Sequence, residues 1–261
     1  MPELPEVEEA MQRLRRAVEG KTIATAKALH PAILRQFPDT TARRLRRQRI
    51  VRVERRGKHQ LIHLANGSIL HAHFRMNGDW LVSRTDQPVD RFSRAVLDLT
   101  DGTRIELNDS RALSALSLHA KGQNPLPSLG IEADDVALSA KYLRIALKSR
   151  RGPLKPTLMD QKVIAGLGNI YAAEALWRAR ISPRAVASSI SKARLERLVE
   201  AIQFVLREES RPPGRYTDVE GRDRFQVYDR EGEPCSRCGA KIRRIPQAGR
   251  STYFCPSCQR S

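Results

Sequence analysis

The chain has 261 residues, 40% of them hydrophobic and 29% charged, a composition that excludes a disordered or fibrous polymer and leaves room for two ordinary cores. Its 47 Lys and Arg against 29 Asp and Glu give a formal charge of +18, which points to a polyanionic partner, nucleic acid before a membrane surface. No stretch reaches the ~18 apolar residues of a spanning helix and no signal peptide is evident, so no membrane partner is expected and the location expected is cytoplasmic.

The chain opens MPELPEVE. Trimming of the initiator methionine before a small residue would make Pro2 the terminus. Its α-amine would titrate near ~7.7–8.0, against ~10.4 for lysine, and so be partly unprotonated and nucleophilic at neutral pH. Glu3 stands beside it. Val7, Ala10, Met11, Leu14, Ala17 and Val18 then recur at helical spacing with Gly20 just past the end, which predicts an amphipathic helix that anchors those first residues. Two hairpins follow: GKHQLIHLANGSILHAHF carries Asn66-Gly67 between apolar alternations, and RAVLDLTDGTRIELND repeats the pattern with Asp101-Gly102. Residues 1–132 therefore read as a helix leading into an antiparallel β-sandwich. A two-residue turn at Asn66-Gly67 would set His63 opposite Leu70, on the other face from His71 and His73. The histidines are accordingly read as structural, with a phosphate contact as the exception.

From residue 133 the period becomes helical. Tyr142, Leu143, Ala146 and Leu147 mark one helix, and Leu195, Leu198, Val199, Ile202, Val205 and Leu206 another. Between them, in LMDQKVIAGLGNIYAAEALWRARISP, Gly166 and Gly168 permit a tight turn and Asn169 is placed to begin the next helix. A helix N-terminus with free amides suits phosphate. The segment RPPGRYTDVEGRDR reads as a loop leading to the four cysteines. Those cysteines, Cys235, Cys238, Cys255 and Cys258, fall as C-x2-C, sixteen residues, C-x2-C. Two such knuckles supply the four thiolates of one structural zinc, and with every coordination position filled by protein the ion holds the fold together and does no catalysis. The divisions expected are 1–132, 133–224 and 225–261.

Together, the terminal PELPEVE, the lysine of RRGKHQL, the turn in MDQKVIAGLGNIYAAEAL and the cysteine pairs flanking GRSTYFC resemble bacterial formamidopyrimidine-DNA glycosylases, from residue 1 to residue 260. The resemblance implies an α+β fold: an N-terminal helix and antiparallel β-sandwich, a helical domain with a helix-two-turn-helix, and a β-hairpin zinc finger. It implies a bifunctional DNA glycosylase and AP lyase of base excision repair. Pro2 is then the nucleophile, Glu3 the acid/base at the sugar ring oxygen, Lys58 an assistant at the sugar phosphate, and Arg250 the finger arginine on the phosphate beside the lesion. Lys155 and Asn169 become phosphate contacts, Met76 a wedge, Arg111 the reader of the orphaned base, and Leu113 stands where a phenylalanine is usual. The implied partner is double-stranded DNA with damaged bases or abasic sites, met by a monomer in the bacterial nucleoid. Three departures bear on substrate. The family's D-P-R-R-F-G reads Asp109, Ser110, Arg111, Ala112, Leu113, Ser114; Phe92 replaces a histidine; and the stretch from Arg211 to Phe225 is shorter than the loop that closes over 8-oxoguanine. A ring-opened or hydantoin purine is therefore expected ahead of 8-oxoguanine. The alternatives are a non-catalytic zinc-finger binder of damaged DNA and an endonuclease VIII-like enzyme for oxidised pyrimidines.

Overall fold

The computed structural model describes residues 2–209 and 225–260, in two compact units: Met1–Pro2 with Glu6–Pro127, and Glu3–Pro5 with Ser128–Ser261. The shortened loop expected over 211–225 lies outside the described residues, apart from Phe225.

The first unit holds most of helix α1 (Leu4–Val18), strand β1 (Ile23–Ala28), short helices α2 (Pro31–Leu34) and α3 (Asp39–Leu45), and strands β2 (Ile50–Arg56), β3 (His59–Leu64), β4 (Ile69–His73), β5 (Asp79–Arg84), β6 (Ser93–Leu99), β7 (Thr103–Asn108) and β8 (Ala115–His119). The strands form two four-stranded sheets, ordered β1-β6-β7-β5 and β2-β3-β4-β8, and every pairing within them is antiparallel. Alternate residues of both sheets, including Ile62, Leu70, Leu116, Leu97 and Ile105, meet in one core together with Val7, Met11 and Leu14 of α1. Each large α1 side chain buried this way contributes roughly 1.5–3 kcal/mol, so the predicted amphipathic helix is bound firmly along its length.

Both expected hairpins are present, but each closes through three residues where two were predicted. Gly67 N–H donates to Leu64 O at 2.9 Å and Gly102 N–H to Leu99 O at 3.1 Å, and both glycines are left-handed, with φ of 81° and 82°. This is a type I turn closed by a left-handed glycine, which adds one residue to the loop. The added residue shifts the register, so His63 pairs with Ile69 and not with Leu70.

The second unit contains β9 (Ile131–Glu132), α4 (Ala140–Leu147), α5 (Leu154–Leu158), β10 (Ile164–Ala165), α6 (Asn169–Arg178), a 3-10 turn (Ala187–Ser189) and α7 (Lys192–Glu209). Ser139 caps α4 by accepting from Tyr142 N–H, and the two short strands pair in parallel. Every α6 residue from Ile170 to Trp177 is buried, as expected of a helix at the centre of a unit. The unit ends in the hairpin β11 (Arg243–Gln247) and β12 (Arg250–Phe254), turned at Ala248 and Gly249, both with positive φ. No helix among the described residues is long and apolar enough to cross a membrane.

Candidate active site

Glu3 clusters with the second unit, where its side chain is 1% exposed. Its carboxylate accepts from the N–H groups of Ile170 at 2.9 Å and Tyr171 at 3.3 Å. The α6 N-terminus thus gives two of its unpaired amides to a carboxylate, so the expected free-amide phosphate cradle is corrected: at these two positions the partner is Glu3. The approach is close enough to dictate sequence. A Cβ on Gly168 would lie 2.1 Å from the Glu3 carboxyl carbon, and one on Gly166, whose φ is +91°, 2.4 Å from Leu4.

Asn169 is the first residue of α6, and Gly168 precedes it as cap without a side-chain bond. The Asn169 amide turns elsewhere. Its Oδ1 accepts from Lys155 Nζ, and its Nδ2 donates to Ser251 O at 3.1 Å. Lys155 also donates to Thr252 Oγ1 at 3.0 Å and is only 1% exposed. Burial brings its pKa down to about 8, with Glu3 opposing the fall and Arg250 adding to it. Glu3, Lys155, Asn169 and Arg250 therefore form one electrostatic group, joined by α6 and the β11-β12 hairpin.

The four cysteine sulfurs lie within 4.8 Å of one another, and Cys238 and Cys255 are 3.5 Å apart. Disulfide sulfurs would sit ~2.05 Å apart, whereas zinc–sulfur bonds of ~2.3 Å in a tetrahedron set them near ~3.8 Å. Trp177 Nε1–H points at Cys235 Sγ and Cys258 N–H at Cys255 Sγ, donors that suit thiolates. The set fits one structural zinc, with no position left open for a substrate.

In the first unit, Pro2 and Lys58 are buried. Two loops carry the remaining predicted residues. One follows β4 and bears Met76, 42% exposed; the other follows β7 and bears Arg111 and Leu113, the latter 46% exposed. Ser114 Oγ donates to Phe74 O and Asn77 Nδ2 to Ser110 Oγ, so the loops support one another and present two large apolar side chains to solvent. Such exposure suits side chains that enter a base stack. Arg75 and Ala112 adopt left-handed φ of 56° and 53°, strain of the kind that collects in binding loops.

Three family models match in order: the formamidopyrimidine-DNA glycosylase N-terminal domain over residues 1–116, that enzyme's H2TH domain over 129–214, and a zinc finger found in FPG and IleRS over 232–260. The chain belongs to the formamidopyrimidine-DNA glycosylase family. A curated formamidopyrimidine-DNA glycosylase from Ruegeria pomeroyi is 40% identical over all of both chains, aligned across 283 positions. A MutM complexed with DNA containing carbocyclic 8-oxo-G superposes with a TM-score of 0.90 at 31% identity, and the Lactococcus lactis Fpg bound to abasic-site DNA with 0.90 at 29%, each over the full length of both chains.

Within this glycosylase fold, several organising residues escaped the sequence reading. Asp109, fully buried, accepts from the N–H groups of Arg111, Leu113 and Ser114 and from Ser114 Oγ; its sequence signals are an aspartate opening a polar loop and its place at the head of the D-P-R-R-F-G segment. Thr252, also fully buried, holds Lys155. Glu174 accepts from the N–H groups of Gln226, Val227 and Tyr228, while burial pushes its carboxyl pKa up.

The histidines also differ from expectation. In the observed register His63 shares a face with His71 and His73, but it is bonded to Glu54 Oε1 at 2.8 Å. His59 Nδ1 instead meets His71 Nε2 at 2.9 Å, and the rings of His73 and His119 pack on that pair. Burial, then the charge of His59, lowers His71 to about 4 and His73 to about 3, so both are neutral near pH 7. Among the described residues only the cysteines converge as three or more metal donors.

Proposed function

We propose that this chain is a bifunctional DNA glycosylase and AP lyase that excises oxidised or ring-opened purines from double-stranded DNA. The observation that carries the reading is the placement of Glu3: the residue next to Pro2 is a buried carboxylate held by the α6 amides and coupled to Lys155 and Arg250. A carboxylate aimed this way defines where the adjoining amine acts.

Once Met1 is removed, the Pro2 nitrogen attacks C1′ of the damaged nucleotide. The N-glycosidic electron pair leaves with the base. The Glu3 carboxylate takes the proton that attack leaves on the Pro2 nitrogen and delivers it to the ring oxygen as the sugar opens, and the freed Pro2 lone pair forms an iminium to C1′. The iminium acidifies C2′–H; loss of that proton expels the 3′ phosphate, and a second elimination expels the 5′ phosphate. Lys58 and Arg250 hold the flanking phosphates, with Lys155 and Asn169 on neighbouring ones. Met76 and Leu113 fill the gap left by the flipped nucleotide, and Arg111 pairs with the orphaned base. The work divides among residues 1–132, 133–224 and 225–261, in a monomer acting on the nucleoid in the cytoplasm. The relatives' names support this reading, as does the binding of damaged or abasic DNA by the superposed structures.

Borohydride reduction during reaction with a lesion duplex tests it. The expected product is a covalent adduct on the peptide that begins at Pro2. An adduct on a lysine with Pro2 unmodified would overturn the assignment of the nucleophile, and DNA binding with no adduct at all would favour a non-catalytic binder.

A further inference from the structure

At the C-terminal end of α6 lies a concave groove of about 540 Å3, within the ~300–1,000 Å3 range of sites that take ligands or chain segments. Its wall is dominated by arginine: Arg178 and Arg180 from the end of α6, Arg197 and Arg207 from α7, and Arg237 from the first cysteine knuckle. The one carboxylate in the lining is Glu200. Arg197, Glu200, Phe204 and Arg207 fall three or four residues apart, which puts them on one face of α7. Among the described residues Arg178, Arg180 and Arg197 make no ion pair. Two of the lining guanidiniums are pinned by rings. Arg178 lies over Phe204, 3.3 Å from its centroid, and Arg237 over Trp177 at 4.0 Å, where its Nη1 also donates to Trp177 O. A planar cation fixed in advance loses little entropy when it takes up a carboxylate in bidentate fashion.

This groove is separate from the Glu3 and Lys155 group. Helix α6 has ten residues and is therefore about 15 Å long, and that group sits at its other end. We propose that the groove is a docking site for an acidic peptide segment of a partner protein. Charge complementarity sets the sign of the ligand, and the aromatic lining argues for carboxylates over a nucleic acid strand. Single strands are held by stacking bases on open ring faces, whereas Phe204, the one ring among the described lining residues, has a face covered by the Arg178 guanidinium. The methyl groups of Ala179 and Ala201 give the floor some apolar surface.

The test uses the full chain with its DNA site filled by a short abasic-site duplex, and fluorescence anisotropy of a labelled Asp/Glu hexapeptide and of a labelled oligothymidylate. The double variant Arg180→Glu/Arg197→Glu changes two exposed side chains, and its thermal midpoint and lesion-cleavage rate should match the unaltered protein. The proposal expects salt-sensitive peptide binding that the double variant weakens at least about tenfold. Equal peptide binding by both proteins, or none by either, would overturn it. Weakened binding of the oligothymidylate alone would overturn it in favour of a second nucleic-acid site.

Discussion

Lys155 offers the sharpest test, because its burial affects stability and binding with opposite signs. An unfolded lysine titrates near ~10.4, whereas in the fold the amine is lowered to about 8 by burial. Between those values the unfolded chain binds the proton and the folded chain does not, so stability must rise with pH across the window from about 8 to ~10.4. Below pH 8 both states are protonated, and the buried charge costs the full difference, roughly 3 kcal/mol at 1.36 kcal/mol for each pKa unit. Lys155→Met removes that cost and leaves Asn169 Oδ1 and Thr252 Oγ1 without the lysine as donor, a loss of about 1–2 kcal/mol. The variant should thus be as stable as the native protein or more so at pH 7. Between pH 7 and pH 9.5 the native protein should gain about 2 kcal/mol on it, read by chemical denaturation at both values. DNA binding should show the reverse preference. An arriving phosphate restores the proton, so calorimetry in buffers of differing ionisation enthalpy should show uptake approaching one proton per complex near pH 9, absent from Lys155→Met. A variant equally destabilised at both pH values would refute the reasoning, since the amine would then hold its proton as firmly in the fold as in the unfolded chain.

The remaining predictions concern geometry, metal and substrate. Gly168→Ala pushes a methyl group into the Glu3 carboxyl; lesion cleavage should fall by about 10²-fold or more with the circular dichroism spectrum retained, as displacement of a catalytic group by ~1 Å implies. Chelation, or Cys238→Ser, should lose one bound zinc per chain and weaken DNA binding, with elemental analysis and anisotropy as the readouts. Glu174→Ala leaves the N–H groups of Gln226, Val227 and Tyr228 without their acceptor, a loss of about 3 kcal/mol, seen as a lower thermal midpoint and faster zinc release to a chromophoric chelator. Under single-turnover conditions, excision of 8-oxoguanine opposite cytosine should be much slower than excision of formamidopyrimidine or guanidinohydantoin, whose altered rings lower the cost of flipping; comparable rates would defeat the loop argument.

What the sequence revealed and what it hid divide by the range of the interaction. The α1 stripe, the two glycine hairpins and the cysteine spacing are each decided within about twenty residues, and the fold contains them all. The hairpin register was missed because it turns on a single count. Asn-Gly favours a two-residue loop in isolation, but a left-handed glycine as third loop residue is also permitted, and the choice decides whether the β3 histidines share a face with His71 and His73. Longer-range features left no local trace. Glu3 meets its amides 167 residues away, and Lys155 meets Thr252 at a separation of 97. Glu174 lies inside an apolar helix, where nothing nearby in sequence announces that it will hold the chain entering the zinc module.

The Asn169 turn joins both kinds of feature and carries a consequence for recognition. Its sequence correctly places a helix start, and the general rule then offers the first-turn amides to a phosphate. In the fold the Ile170 and Tyr171 amides are taken by Glu3. On the proposed reading, phosphate contact at this end of α6 therefore falls to side chains, Asn169, Lys155 and Arg250, of which the last two are cations. Each cation that meets a phosphate contributes about 0.9 to the salt slope, whereas a neutral amide donor contributes no counterion release. The slope should accordingly drop by about one with Lys155→Ala and again with Arg250→Ala, and stay unchanged with Asn169→Ala even as affinity falls. An unchanged slope in either cation variant would return the phosphate to the backbone amides and displace Glu3 from them.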